Sequence, residues 1–304
     1  MSAALAPPTE VLEPVRPHVV APQQEPARSA RERTRLQQVL FQVGLALSLT
    51  LVLLIGFVVY LYGLSGLAEH RAQENLRKTF SHSLGQAIAP VGPTTEGAPV
   101  AVLDIPELGL HGAVIIEGTS ARDLTNGPGH RADTPLPGQY GVSVVYGRRV
   151  AYGAPFEHLM RLEVGDRITA TTGQGKAVYR VSSFGDGVHP APANSTNRLL
   201  LVTADTAGIP HSFVSVSADL VSKPQPEPGN LPLVPEDQKG LATSTASLLT
   251  TLLWSQALLV LVVLVTVGLH RWSRRATYLA AAPVALGVLW NLYENVACLL
   301  PNLY

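Results

Sequence analysis

The 304-residue chain has little of what marks a soluble enzyme or a disulfide-stapled secreted module. Its one cysteine, Cys298, excludes any disulfide within the chain and any cysteine-based metal cluster. Charged residues make up 14% of it, well below the roughly 25% of an ordinary soluble domain. The 22 basic and 22 acidic side chains cancel, and only Lys78, Lys176, Lys223 and Lys239 are lysines. With no basic surplus, a nucleic-acid partner held by surface charge is excluded. His111, His158 and His189 are scattered and none is spaced as a metal pair, so neither a metal nor a cofactor is expected. What the chain has in quantity is apolar side chains, at 46% with a mean hydropathy of +0.21.

The apolar residues are concentrated in three runs. Residues 39–64 carry no charge and exceed the roughly 20 residues needed to cross a bilayer. Residues 245–269 form a second such run. Residues 276–300 form a third, weaker one that includes Pro283, Asn291, Glu294 and Asn295. Ahead of the first run, residues 1–38 are rich in proline, alanine and charge and end in a cluster from Arg28 to Arg35. They read as a disordered cytoplasmic tail. A second basic cluster, residues 270–275, joins the last two runs. Both clusters place their sides in the cytoplasm, so the multi-pass topology puts residues 65–244 outside the cell membrane.

The outer region has three parts. Residues 65–98 read as a helical stalk and linker. From 99 to 220, short β-branched runs alternate with Gly, Pro and Asp turns, which argues for a sandwich or barrel. Residues 221–244 hold five prolines and read as a tether returning to the membrane.

Within the β-rich part, Gly127-Pro-Gly-His130, Thr134-Pro-Leu-Pro-Gly138, Gly141-Val-Ser-Val-Val-Tyr-Gly147, Tyr152-Gly-Ala-Pro-Phe156 and Glu163-Val-Gly-Asp166 follow one another in order. This series resembles the sortases, and among them the actinobacterial class E branch, over about Ile105 to Leu220. The resemblance implies a mostly β fold, a closed barrel, which the apolar runs would place outside the membrane with one N-terminal and two C-terminal transmembrane helices. It also implies a family that cleaves LPxTG-like or LAxTG sorting signals at the cell wall, using a cysteine, a histidine and an arginine.

Those three positions read differently here. Arg148 stands at the histidine position, Ala204 at the cysteine position and Phe213 at the arginine position. Arginine stays protonated and cannot shuttle a proton near neutrality. Alanine has no nucleophile, and phenylalanine donates no hydrogen bond to an oxyanion. Cys298 lies in the third apolar run, and the sequence offers it no route into the barrel. Thr203, Asp205, His211 and Ser212 surround the former site, either as polar groups of turns or as a rearranged catalytic set. His130 reads as a hydrogen-bonding turn residue. Arg148, Arg149, Thr203, Asp205, His211 and Ser212 line a candidate peptide-binding groove. In it Arg148 either meets an anionic ligand or snorkels to solvent beside an acid. Asn291, Glu294, Asn295 and Cys298 recur at i, i+3, i+4 and i+7 and form one polar helix face. That face either meets a partner, namely the second span or another membrane protein, or lies in the hydrated interface.

The resulting expectation is a membrane-anchored, non-catalytic scaffold for a sorting-signal peptide, an active sortase or another membrane protein. The alternatives are a sortase-type acyltransferase with a rearranged site and a structural module of a membrane complex.

Overall fold

The computed structural model describes residues 28–304 apart from 209, 228, 230, 244–246, 272 and 273, and leaves out the side chains of 28–34 and 36. The expected disordered tail therefore lies outside the described residues up to position 27. The chain divides into two compact units, Met1–Leu53 and Leu54–Tyr304.

Helix α1 (Arg28–Val59) holds the uncharged run from residue 39 onward, whose backbone groups satisfy one another within the helix while most of its side chains remain exposed. It passes through a π turn (Tyr60–Leu64) into α2 (Ser65–Gly85). The Ser65 hydroxyl bonds back to the Leu61 carbonyl at 2.5 Å, inside this irregular turn. Helices α3 (Ser247–Arg271) and α4 (Arg274–Ala297) close the chain. Among the described residues, three helices are long and apolar enough to cross a membrane, one before the β-rich region and two after it.

Between them lies a closed barrel. Its strands are β1 (Pro99–Ile105), β2 (Leu110–Glu117), β3 (Gly129–His130), β4 (Val142–Tyr146), β5 (Arg167–Thr172), β6 (Gly175–Asp186), β7 (Arg198–Ala204) and β8 (Phe213–Leu220). The order around the barrel is β1-β2-β3-β4-β7-β8-β6-β5, and β5 pairs back onto β1. The β2–β3 and β4–β7 pairs are parallel and the rest antiparallel. Leu103, Ile105, Ile115, Val145, Leu199, Leu201 and Val216 fill the interior, since alternate residues of each strand point inward.

Strand β3 is only two residues long, which leaves much of the β2 edge facing away from β1 without a strand neighbour. The side chain of Gln73 on α2 takes the missing place. Its Oε1 accepts from the Val114 N–H at 2.7 Å, and its Nε2 donates to the carbonyls of Val114 at 3.0 Å and Asn126 at 2.7 Å. One buried amide thereby covers a strand edge that would otherwise carry unpaired groups. Gly129 has to be glycine here, because a Cβ would collide with the Gly118 carbonyl oxygen.

The proline-rich stretch after β8 lies against the barrel at two points. Gln225 bonds to the backbone of Gly138 and Tyr140, and Gln238 is buried with its side chain on Glu96. Proline suppresses regular secondary structure but leaves carbonyls free to dock along a surface.

Candidate functional site

Strands β4 and β7 run side by side, with Tyr146 opposite Val202. Beyond β4, the Gly147 N–H donates to the Val202 carbonyl at 3.0 Å, and the Thr203 hydroxyl donates to the Gly147 carbonyl at 2.8 Å. The ring of Phe156 packs where a Cβ of residue 147 would stand, so only glycine fits. Across β7, Ala204 pairs with Phe213 at the start of β8. Arg149 Nη1 donates to the Ala204 carbonyl at 3.1 Å. Residues 148, 204 and 213 thus come from three neighbouring strand ends at one end of the barrel. Ala204 is fully buried and Phe213 is exposed at its rim.

Arg148 does not snorkel to solvent, and no Asp or Glu side chain among the described residues pairs with it. It is completely buried. Its Nη2 donates to the Ala121 carbonyl at 2.8 Å and its Nη1 to the main-chain oxygen of Tyr304 at 3.3 Å, while the guanidinium lies 5.0 Å from the Tyr152 ring centroid. Burial lowers its pKa below the ordinary arginine value. The charge expected to face a ligand is instead consumed by internal main-chain oxygens and a ring face.

The loop bearing Tyr152 is strained. Ala151, Tyr152, Gly153 and Ala154 all have positive φ, at 62°, 46°, 73° and 42°. Non-glycine residues in this region cost on the order of 1 kcal/mol or more each, so the surroundings must hold them there. The Tyr152 N–H donates to the Ser65 hydroxyl at 2.9 Å, and the Tyr60 and Tyr152 hydroxyls lie 3.4 Å apart.

The other polar candidates do not form an activated set. The Thr203 hydroxyl is buried and committed to Gly147. Asp205 joins Ser212 through its backbone N–H, at 3.1 Å from the Ser212 carbonyl, and its buried Oδ1 has no hydrogen-bond partner. His211 is exposed. His130 is a buried structural pin: Nδ1 lies 3.0 Å from Glu117 Oε2, and Nε2 lies 3.0 Å from the Pro135 carbonyl and 3.2 Å from the Thr134 hydroxyl. That hydroxyl is itself committed to the Arg131 carbonyl at 2.7 Å.

The polar face of α4 meets the barrel of its own chain. Asn295 Oδ1 accepts from Arg122 at 3.2 Å, and Asn291 and Asn295 donate back to the helix carbonyls of Gly287 and Asn291. Glu294 is half-buried and Cys298 is buried.

The sequence reading missed what covers this end of the barrel. On the outward face of the β4–β7 pair, Val144, Tyr146, Val202 and Ala204 form one buried cluster with Leu124 and Leu303. Leu303 belongs to the segment Leu300–Tyr304 after α4. Its carbonyl accepts from the Arg149 N–H at 3.2 Å. The alternation of Pro301, Asn302, Leu303 and Tyr304 was the one signal available, and it is too short to point anywhere.

Residues 103–208 match the family model described as the sortase domain. The barrel has the sortase fold. Among solved structures, the chain is similar to the sortase D5 transpeptidase of Clostridium perfringens, with 23% identity over 51% of this chain and 98% of that one, at a TM-score of 0.41. It is similar to sortase E from Streptomyces avermitilis, with 32% identity over 42% of this chain and 91% of that one, at a TM-score of 0.37. Sortase E1 from Streptomyces coelicolor, solved with a tripeptide in its active site, is 26% identical over 42% and 91% of the two chains, also at 0.37. Comparison with curated proteins found no match. In sortase terms, the face covered by Leu303 is the outer face of β4 and β7, beside positions 148 and 204.

Proposed function

We propose that this chain holds a sortase-like barrel at the outer surface of a membrane and uses the β4–β7 face to bind an extended peptide or a protein without cutting it. The basic clusters at 28–35 and 270–275 support an orientation with both on the cytoplasmic side and the barrel outside. The observation that carries the reading is the side-chain chemistry at the three strand ends. Ala204 has no nucleophilic atom, Phe213 has no donor, and the Arg148 guanidinium is buried on the main-chain oxygens of Ala121 and Tyr304. An acyl transfer needs an attacking heteroatom and a group that takes up and returns its proton, and these positions supply neither. The committed hydroxyl of Thr203 counts against a rearranged catalytic set.

The test uses the full chain in lipid nanodiscs with fluorescent peptides carrying LAxTG or LPxTG. Saturable binding with no cleavage and no transfer to an added amine is the expected result. Turnover, or absence of binding even after the face is uncovered as described below, overturns the reading.

A further inference from the structure

The β4–β7 face carries an occupant. Leu303 is fully buried against Ala204, Val202, Val144, Tyr146 and Leu124. Asn302, also fully buried, ties its segment to two others. Its N–H donates to the Ala242 carbonyl at 3.0 Å, and its Nδ2 donates to the carbonyls of Thr119 at 2.8 Å and Lys239 at 2.9 Å. Tyr304 continues the chain past Arg148 and shares a 2.9 Å hydroxyl contact with Tyr62. The contacts are those of a bound peptide, with side chains in pockets and backbone groups paired to the walls.

The fit is incomplete in a telling way. Among the described residues, Asn302 Oδ1, Gln238 Oε1 and Arg148 Nε are buried without a hydrogen-bond partner, and all three belong to the segment, to the stretch it is tied to, or to the residue beneath it. A buried polar atom left unpaired costs on the order of 1–3 kcal/mol. A segment that comes off would return these atoms to water or to another ligand.

We propose that the outer face of β4 and β7 is a peptide-binding site whose resident ligand, in cis, is the segment Leu300–Tyr304, recognised through the Asn302 amide and the Leu303 side chain. The inference rests on the reading of this face as a peptide site and adds its occupancy: a peptide in trans gains access only as the segment leaves. A tethered ligand acts at an effective concentration on the order of millimolar, so it outcompetes a micromolar peptide without being tightly bound.

The experiment uses the full chain in nanodiscs and the labelled pentapeptide Leu-Pro-Asn-Leu-Tyr, blocked at both ends, as the probe. The double variant Asn302→Ala, Leu303→Asp should bind the probe at least tenfold more tightly than the unaltered chain. On the unaltered chain, excess probe should speed amide hydrogen exchange at residues 300–304. Equal binding by the two proteins overturns cis occupancy while leaving the peptide site standing. Failure of the double variant to bind this probe overturns the assignment of the segment as a ligand. If sorting-signal peptides also fail to bind the double variant, the reading of the face as a peptide site falls with it. Thermal unfolding of the double variant identifies a folding defect, in which case the hydrogen-exchange arm on the unaltered chain decides.

Discussion

Leu303 lies in the same buried cluster as Ala204, so a segment that follows the last helix covers the end of β7. Two features of the barrel end explain this seat. The loop between β2 and β3 supplies Leu124 to the cluster and the Ala121 carbonyl to Arg148. Helix α4 delivers the segment there because its Asn295 is bonded to Arg122 of that same loop. One short loop therefore links the apolar hairpin, the buried arginine and the covered face.

The first prediction concerns Gln73. Its side-chain amide makes three hydrogen bonds that complete β2. Gln73→Ala leaves buried backbone groups of Val114 and Asn126 unpaired and should destabilise the barrel by about 2–4 kcal/mol. Arg77→Ala, which removes a bond from an exposed side chain to the Gly112 carbonyl, should change stability by less than about 1 kcal/mol. Chemical denaturation of the two variants, followed by tyrosine fluorescence, checks the contrast.

Asp123 gives the second. It is buried in the β2–β3 loop, accepting from the Ser120 N–H at 3.1 Å and the Ser120 hydroxyl at 2.6 Å. Burial raises its pKa above the ordinary 3.8, against the lowering effect of those hydrogen bonds. The folded state therefore holds a proton that the unfolded state releases as pH rises above about 3.8. Stability from this group is present below that value and declines as pH climbs through the folded pKa. Asp123→Asn keeps an acceptor for Ser120 and removes the titration. Plotted against pH, the Tm difference between variant and unaltered chain should grow in the variant's favour as pH rises through that window. A flat difference contradicts the burial argument.

Restoring the family's three groups gives the third. A chain with Arg148→His, Ala204→Cys and Phe213→Arg regains a thiol, an imidazole and a guanidinium at adjoining strand ends. With Leu303 still seated on residue 204, peptide cleavage should stay at background. Adding Leu303→Asp should bring cleavage out of background by tenfold or more, as read by release of a quenched fluorophore. Cleavage by the triple variant alone would show that the segment does not block the face.

The strands were legible because β-branched residues concentrate in short runs: the stretches 99–105 and 213–220 are β1 and β8 as the pattern placed them. Strand β3 was not, since two residues, Gly129 and His130, carry no periodicity. The polar face of α4 could be read from its spacing, but its counterpart Arg122 sits 173 positions from Asn295, and no local rule joins them. Arg148 shows the sharper limit. Sequence announces a charge, whereas burial depends on main-chain oxygens at Ala121 and Tyr304 that no side-chain pattern encodes. The docking of Gln225 and Gln238 was hidden for a related reason: proline content forecasts the absence of helix and strand but not where such a stretch comes to lie.

The most direct test of the central claim is intact-protein mass spectrometry of the full chain after incubation with LAxTG and LPxTG peptides and no acceptor amine. Acyl transfer in this fold proceeds through a covalent peptidyl adduct, and the only thiol in the chain is Cys298. The account predicts an unchanged protein mass and an intact peptide, both in the unaltered chain and after Leu303→Asp exposes the face. A mass increase equal to the acyl portion of the peptide, on Cys298 or any other residue, would contradict it.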